Sequence, residues 1–324
     1  MKTSNHLLRR LTAALLAAVL ALSIALPVFA SDDGDTIYIN SVSDLLSLAR
    51  NCAYDQWSVG KTVILQKDLS LEGMLWEPIP SFSGQFKGNG HTISDLTITG
   101  QYSPAGLFGI VEEQGSIESL SVRGVVSVSD SADTTTGGIV GINHGTLINC
   151  QFTGVVTGDS EVGGIVGRNE SEGTIDHSTA RAIVTGKSST GGIAGYNLGA
   201  ITGCTNVGSI NTEYPEASLD TDGFTAKMVD QINNKIAAAD DDATNSVTNV
   251  ATDTGGIAGR SSGMILTSVN TGTIGYEHVG YNVGGIVGRT DGLVSGCVNQ
   301  GCVLGRKDVG GIAGQAEPYR ELDL

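Results

Sequence analysis

Aromatic residues make up only 5% of this 324-residue chain. A compact sandwich or enzyme domain usually builds its core on more than that. The scarcity points to an architecture whose layers pack only against their neighbours. Basic residues are also few, with 18 Lys and Arg against 34 Asp and Glu, a formal charge of −16. Setting aside Lys2, Arg9 and Arg10, which precede residue 31, takes the charge to −19. Such a surface repels nucleic acid and anionic membranes, which excludes nucleic-acid partners. Cysteine is odd in number, at five, and no disulfide framework is evident. After residue 30 no stretch is apolar enough to cross a bilayer, and no cell-wall sorting motif lies near Leu324.

The first thirty residues read as a secretory signal peptide. Lys2, Arg9 and Arg10 form the basic start, Leu11 to Ala25 the apolar run, and Val28-Phe29-Ala30 the small-residue cleavage site. Cleavage is expected near Ala30, giving an exported product at the cell surface or outside the cell. A retained anchor is disfavoured, because the run falls short of the roughly 18–20 residues a spanning helix needs.

What is abundant is glycine, with 46 residues, much of it in one recurring word. Gly-Gly-Ile-(Val/Ala)-Gly begins at Gly137, Gly163, Gly191, Gly255, Gly284 and Gly310. Successive copies start at a nearly constant spacing, apart from one interval more than twice as long between Gly191 and Gly255. A period of this kind means stacked units that cannot bury their apolar faces alone. Large aliphatics recur at three nearly equal intervals within a unit. The first column is Ile139, Ile165, Ile193, Ile257, Ile286 and Ile312. The second is Leu147, Ile175, Ile201, Ile265 and Val294, and the third Val156, Val184, Ile210, Ile274 and Val303. Three inward columns of mostly β-branched residues predict an all-β fold, a right-handed parallel β-helix with three sheets. Glycines such as Gly141, Gly145, Gly154 and Gly158 fall between the columns, where corners need positive φ or no Cβ.

Polar columns accompany the apolar ones. Cys150, Ser178, Cys204, Ser268 and Cys297 share one position. Cysteines in alternate coils would stand roughly 9–10 Å apart at a ~4.8 Å rung spacing, too far for disulfides. They read as small core residues rather than a metal ladder. Cys302 precedes the inward Val303 and should be an outward free thiol. Asn143, Asn169 and Asn197, with Ser261 and Thr290, read as turn residues tolerant of left-handed φ. His91 and His144 read as turn residues as well.

Domain boundaries follow from these patterns. Residues 31–60 form an N-terminal cap of a strand and a helix. The helix opens on the capping box Ser41-Val-Ser-Asp44, with Val42, Leu45, Leu46, Ala49 and Cys52 on one face. Residues 61–136 are early, diverged coils, and 137–211 and 251–316 are regular ones. Between them, 212–250 breaks the period; Phe224, Met228, Ile232 and Ile236 predict one helical excursion, followed by an acidic loop at Asp240-Asp-Asp242. With this excursion set aside, the long interval holds one ordinary coil. Residues 317–324 form an uncapped tail, frayed or continuing into a longer protein.

The words Gly137-Gly-Ile-Val-Gly-Ile-Asn-His-Gly145, Gly163 to Asn169 and Gly191 to Asn197 resemble the GLUG repeat of bacterial secreted and surface proteins. Phe86-Lys-Gly-Asn-Gly-His-Thr-Ile93 followed by Gly106-Leu-Phe-Gly109 resembles the lead-in of that family. The likeness covers roughly residues 36 to 316. It implies a right-handed β-helix in an exported, often large and adhesin-like protein. Some relatives carry a separate zinc peptidase domain that cleaves immunoglobulin A and needs HExxH. His6, His91, His144, His177 and His278 lack that spacing, so peptidase activity is not carried over.

The function expected is a non-catalytic structural or adhesion module with an extracellular protein or glycan ligand. No catalytic, cofactor or metal residues are assigned. One alternative is a polysaccharide lyase or glycosidase, which needs carboxylates about 5–10 Å apart. The outward column Asn149, His177, Gly203, Thr267 and Gly296 holds no acid, and Asp68 and Glu77 are early acids without an evident partner. The other alternative is calcium binding at the turn column Thr135, Glu161, Ser189, Asp253, Asn282 and Asp308, where six to eight converging oxygens would be required.

Overall fold

The computed structural model describes residues 35–54, 56–128, 134–212 and 251–317. The signal peptide, the excursion predicted at 212–250 (apart from Thr212) and the end of the tail lie outside the described residues.

Each coil of the repeat lays down four short strands. In the coil that opens the regular region these are Thr136–Gly137, Val140–Asn143, Thr146–Ile148 and Gln151–Thr157. Stacked in parallel, they build walls 1 to 4, of 6, 8, 9 and 9 strands respectively. The result is a right-handed parallel β-solenoid of about eight turns. The expected three sheets are therefore four ladders. At each Gly-Gly-Ile the backbone bends out of ladder geometry, so the side carrying the first aliphatic column splits into walls 1 and 2. Gly138 shows why glycine stands there: a Cβ would collide with the Gly164 carbonyl and the Phe152 ring. The isoleucine at the bend points inward, completing the corner.

The aliphatic columns stack in register. Ile139 donates its N–H to the Ile165 carbonyl at 2.9 Å, and Ile165 to Ile193 at 3.1 Å. All three are fully buried. Leu147, Ile175, Ile201, Ile265 and Val294 pair directly along wall 3. The coil begun at Gly191 stacks straight onto that begun at Gly255, with Ala194 opposite Ala258. The long interval thus contains one coil and one insertion. Asn211 and Thr254 bridge the two stems of that insertion through Nδ2 and Oγ1 at 3.0 Å.

Wall 3 begins at Thr36–Ile39, which pairs with Thr62–Leu65. Helix α1 (Val42–Asn51) lies between them in the chain and contacts Ile79–Phe82, where wall 2 starts. Its capping box is formed: Asp44 N–H donates to Ser41 Oγ at 3.2 Å, and Asn40 N–H to Asp44 Oδ2 at 2.9 Å. The Asn40 N–H, and after it the Ser41 side chain, hold the Asp44 carboxyl below its ordinary range. Leu45, Leu48 and Cys52 are the fully packed residues of this cap, while Val42, Leu46 and Ala49 are partly covered. The few aromatics concentrate in the early coils, where Phe82, Phe86 and Phe108 meet with centroids 5.4–6.3 Å apart. The early coils thus pack rings among their stacked aliphatics, such as Ile93 on Val122 and Ile98 on Val126.

Left-handed backbone recurs at two turn columns. One is Asn149 (φ 52°), His177 (46°), Gly203 (61°), Thr267 (46°) and Gly296 (65°). The other is Glu161, Ser189, Asp253, Asn282 and Asp308, with φ from 43° to 55°. Thr267 is β-branched, so its conformation is strained, and glycine occupies the same position in the coils on either side. Thr267→Gly is expected to raise stability by about 0.5–1 kcal/mol, relief of the left-handed strain exceeding the added chain entropy. A urea midpoint unchanged or lowered would refute this.

Candidate functional site

The polar columns are where chemistry could reside, and most of their groups are spent on one another. Asn143, Asn169 and Asn197 are fully buried and do not adopt left-handed φ. The expectation of turn residues tolerant of positive φ is corrected here. Their side chains form a ladder inside the solenoid: Asn143 Nδ2 donates to Asn169 Oδ1 at 2.8 Å, and Asn169 Nδ2 to Asn197 Oδ1 at 2.8 Å. Asn197 Nδ2 continues to Ser261 Oγ at 3.0 Å. Thr290 Oγ1 donates back to the Ser261 carbonyl at 2.9 Å. Each amide also serves the local turn, as Asn143 does for Gly145.

A second ladder, missed in the sequence reading, runs Asn206, Asn270 and Asn299, again with 2.8 Å amide bonds. Its signal was present in the chain as Asn206-Val-Gly208, Asn270-Thr-Gly272 and Asn299-Gln-Gly301. In each, the side chain bonds both the N–H and the carbonyl of the glycine two residues on. Parallel stacking then brings identical amides one rung apart, head to tail.

The Cys/Ser column is a third ladder. Cys150 N–H donates to Ser178 Oγ at 3.1 Å, Ser178 N–H to Cys204 Sγ at 3.4 Å, and Cys204 N–H to Ser268 Oγ at 3.2 Å. All five cysteines are free. Burial drives the thiols of Cys150 and Cys204 up to about 12 and that of Cys52 to about 11, and it raises Cys297 as well. Only Cys302 is exposed. A thiol reagent at pH 8 should therefore titrate one fast thiol in the folded protein, lost in Cys302→Ser, and the rest only on unfolding. Two or more fast thiols would contradict the ladder.

Of the candidate acids, Asp68, Glu161 and Asp253 are partnered as well. Asp68, expected to stand alone, accepts from Thr92 N–H at 2.8 Å and meets His91 Nδ1 at 3.2 Å. Its carboxyl is held below the ordinary range, chiefly by the Thr92 bond and then by His91. Glu161 accepts from Thr135 Oγ1 at 3.0 Å and from Arg168 at 3.0 Å. Asp253 accepts from Asn282 Nδ2 at 2.7 Å. Among the described residues no three His, Cys, Asp or Glu side chains cluster to hold a metal ion. His177 and Asp176 pair at 2.8 Å in an exposed turn.

On the outer face of wall 2, Arg168, Tyr196, Arg260 and Arg289 follow one another in register. Arg168 and Arg260 sandwich the Tyr196 ring at 5.3 and 5.2 Å. Arg168 is neutralised by Glu161 and Glu170, and Arg289 by Glu317 at 2.6 Å. This stack of arginines escaped the sequence reading because its position changes residue type from coil to coil, from Ile142 through Tyr196 to Gln315.

No family model matches the chain. Halomucin of Haloquadratum walsbyi is 31% identical over 155 residues, 44% of this chain and 2% of that protein. A candidate Gly-rich membrane protein of Evansella cellulosilytica is 29% identical over 137 residues, 31% of this chain and 16% of the other. The chain thus spans a small part of the curated relatives it matches. The crystal structure of a candidate immunoglobulin A1 protease from Bacteroides ovatus superposes with a TM-score of 0.51 at 17% identity, covering 89% of this chain and 85% of that one. That likeness concerns the fold alone. Among the described residues no helix is long and apolar enough to cross a membrane.

Proposed function

We propose that this chain is a non-catalytic, exported structural module of the GLUG-repeat type, a rigid β-solenoid that presents loops and walls outside the cell. The observation that carries this reading is the internal use of its polar side chains: asparagine, serine and cysteine ladders tie coil to coil. Such ladders stiffen a solenoid, and buried, fully bonded amides favour a single register. The basic start and apolar run before residue 31 support export. The partial similarity to halomucin and to a Gly-rich membrane protein supports a surface or extracellular setting.

The test has two arms. Expressed with its leader, the chain should be recovered from the medium or the cell surface with Ser31 at its N-terminus. The purified product should release no reducing ends from polysaccharides and no fragments from immunoglobulin A. Retention in the cytosol would overturn export, and turnover of either substrate would overturn the non-catalytic reading. The calcium alternative predicts a lower melting temperature on chelation; the structural reading predicts an unchanged one.

A further inference from the structure

Wall 4, like wall 2, is nearly free of acidic residues in this anionic molecule. The strands Ser121–Val128, Gln151–Thr157, Thr179–Thr185, Thr205–Asn206, Ser209–Ile210 and Val269–Asn270 contain no Asp or Glu. Only the first long strand, Thr92–Gly100, brings one acid, Asp95. The chain as a whole carries 34. Two exposed arginines stand on this wall, Arg123 and Arg181, with Thr153 between them in register. Unlike Arg168 and Arg289 on wall 2, neither meets a carboxylate among the described residues.

The wall also carries a recess beside Arg181. Gly124, Gly154, Ala182 and Gly208 follow one another along it, and a Cβ on Gly154 would collide with the Gly124 carbonyl. Small residues therefore let the coils close together there, and the recess, of about 320 Å³, opens between Arg181, Ile183, Val207 and Thr273. Next to each arginine an apolar side chain remains in solvent: Val125 is 39% exposed and Ile183 45%. Beside the arginine column runs a polar one, Ser121, Gln151, Thr179 and Thr205, offering a hydroxyl or amide at every rung.

The geometry points to wall 4 as a binding face for a linear acidic polysaccharide of the polyuronate class. The two arginines are two rungs apart, about 10 Å at ~4.8 Å per rung. A polyuronate chain with a twofold screw advances by close to one rung per sugar and turns alternate carboxylates to the same side, which places one against each arginine. The polar column then meets ring hydroxyls at each sugar, and Val125, Ile183 and Val207 cover the C–H faces of the rings. An extended acidic peptide fits less well, since its same-face side chains recur about every 6.6 Å, out of step with the arginines. Such a binding face is independent of the structural role above, because a spacer without any ligand would satisfy that reading.

The test is titration of the full chain with polygalacturonate, by calorimetry at low and moderate salt. Saturable, salt-weakened binding is expected, falling about tenfold for Arg123→Gln or for Arg181→Gln, with Arg260→Gln unchanged. Circular dichroism and melting of the variants confirm that these exposed substitutions leave the fold intact. Absence of binding, binding indifferent to Arg123 and Arg181, or equal binding of poly-L-glutamate would each overturn the proposal. So would binding seen only after residues 213–250, which carry eight acids and two lysines, are replaced by a short linker. In that case the chain's own acidic segment is the occupant of the wall.

Discussion

Gly164→Ala should destabilise the solenoid by about 3 kcal/mol, the upper end for overpacking a close-packed interior, while Gly311→Ala should be nearly silent. Both are the second glycine of the same five-residue word. A Cβ on Gly164 would overlap the Gly192 carbonyl of the next coil and press on the Ala180 Cβ at 3.0 Å. Neither obstacle can swing away, because the Gly192 carbonyl belongs to a backbone held in the stack on both sides. The coils would have to part at one corner, loosening the Ile165–Ile193 and Val166–Ile193 hydrogen bonds that close it. At Gly311 a Cβ would meet no atom of the described residues within 4 Å. Urea unfolding of the two variants against the parent decides the matter. Equal midpoints would mean that the coils are not in the close apposition described.

The second large effect is expected at the middle of the first amide ladder. Asn169 accepts from Asn143, donates to Asn197, and donates to the Gly173 carbonyl at 3.0 Å, all in the interior. Asn169→Ala removes these bonds at once and leaves the Asn197 Oδ1 buried without a donor, while the Gly173 carbonyl keeps the Ala200 N–H at 2.9 Å. At about 1–3 kcal/mol for the orphaned Asn197 oxygen and about 1 kcal/mol for the other lost bonds, a total loss of about 2–4 kcal/mol follows. Asn169→Ser should lie between, since a serine already serves this column at Ser261, accepting from Asn197. Amide hydrogen exchange would localise the damage to the rungs around residues 143–197. A loss confined to one coil, or none, would show that the ladder does not couple the coils.

These two sites divide along the line between what was legible in the chain and what was not. The period, the three aliphatic columns and the capping box at Ser41 were read directly, because stacking identical coils demands identical residues at identical offsets. Ile139, Ile165 and Ile193 stand in the stack as that logic requires. The cysteine column was legible for the same reason, and so was the separation that forbids disulfides. The asparagines were visible but misassigned. Asn at a turn signals left-handed φ by default, and nothing local distinguishes a turn amide from one that turns inward to meet its copy in the next coil.

Sequence alone determined that this protein is a parallel solenoid wound once per copy of its glycine-rich word, since such a pattern has meaning only when coil repeats on coil. Tertiary structure alone decided that the Gly-Gly-Ile bend makes four walls from three, that buried amides lace the coils together, and that Arg123 and Arg181 face solvent from an almost acid-free wall. The physical reason is distance along the chain. Contacts between residues one or two coils apart arise from the pitch and corner angles of the stack, which no single repeat encodes.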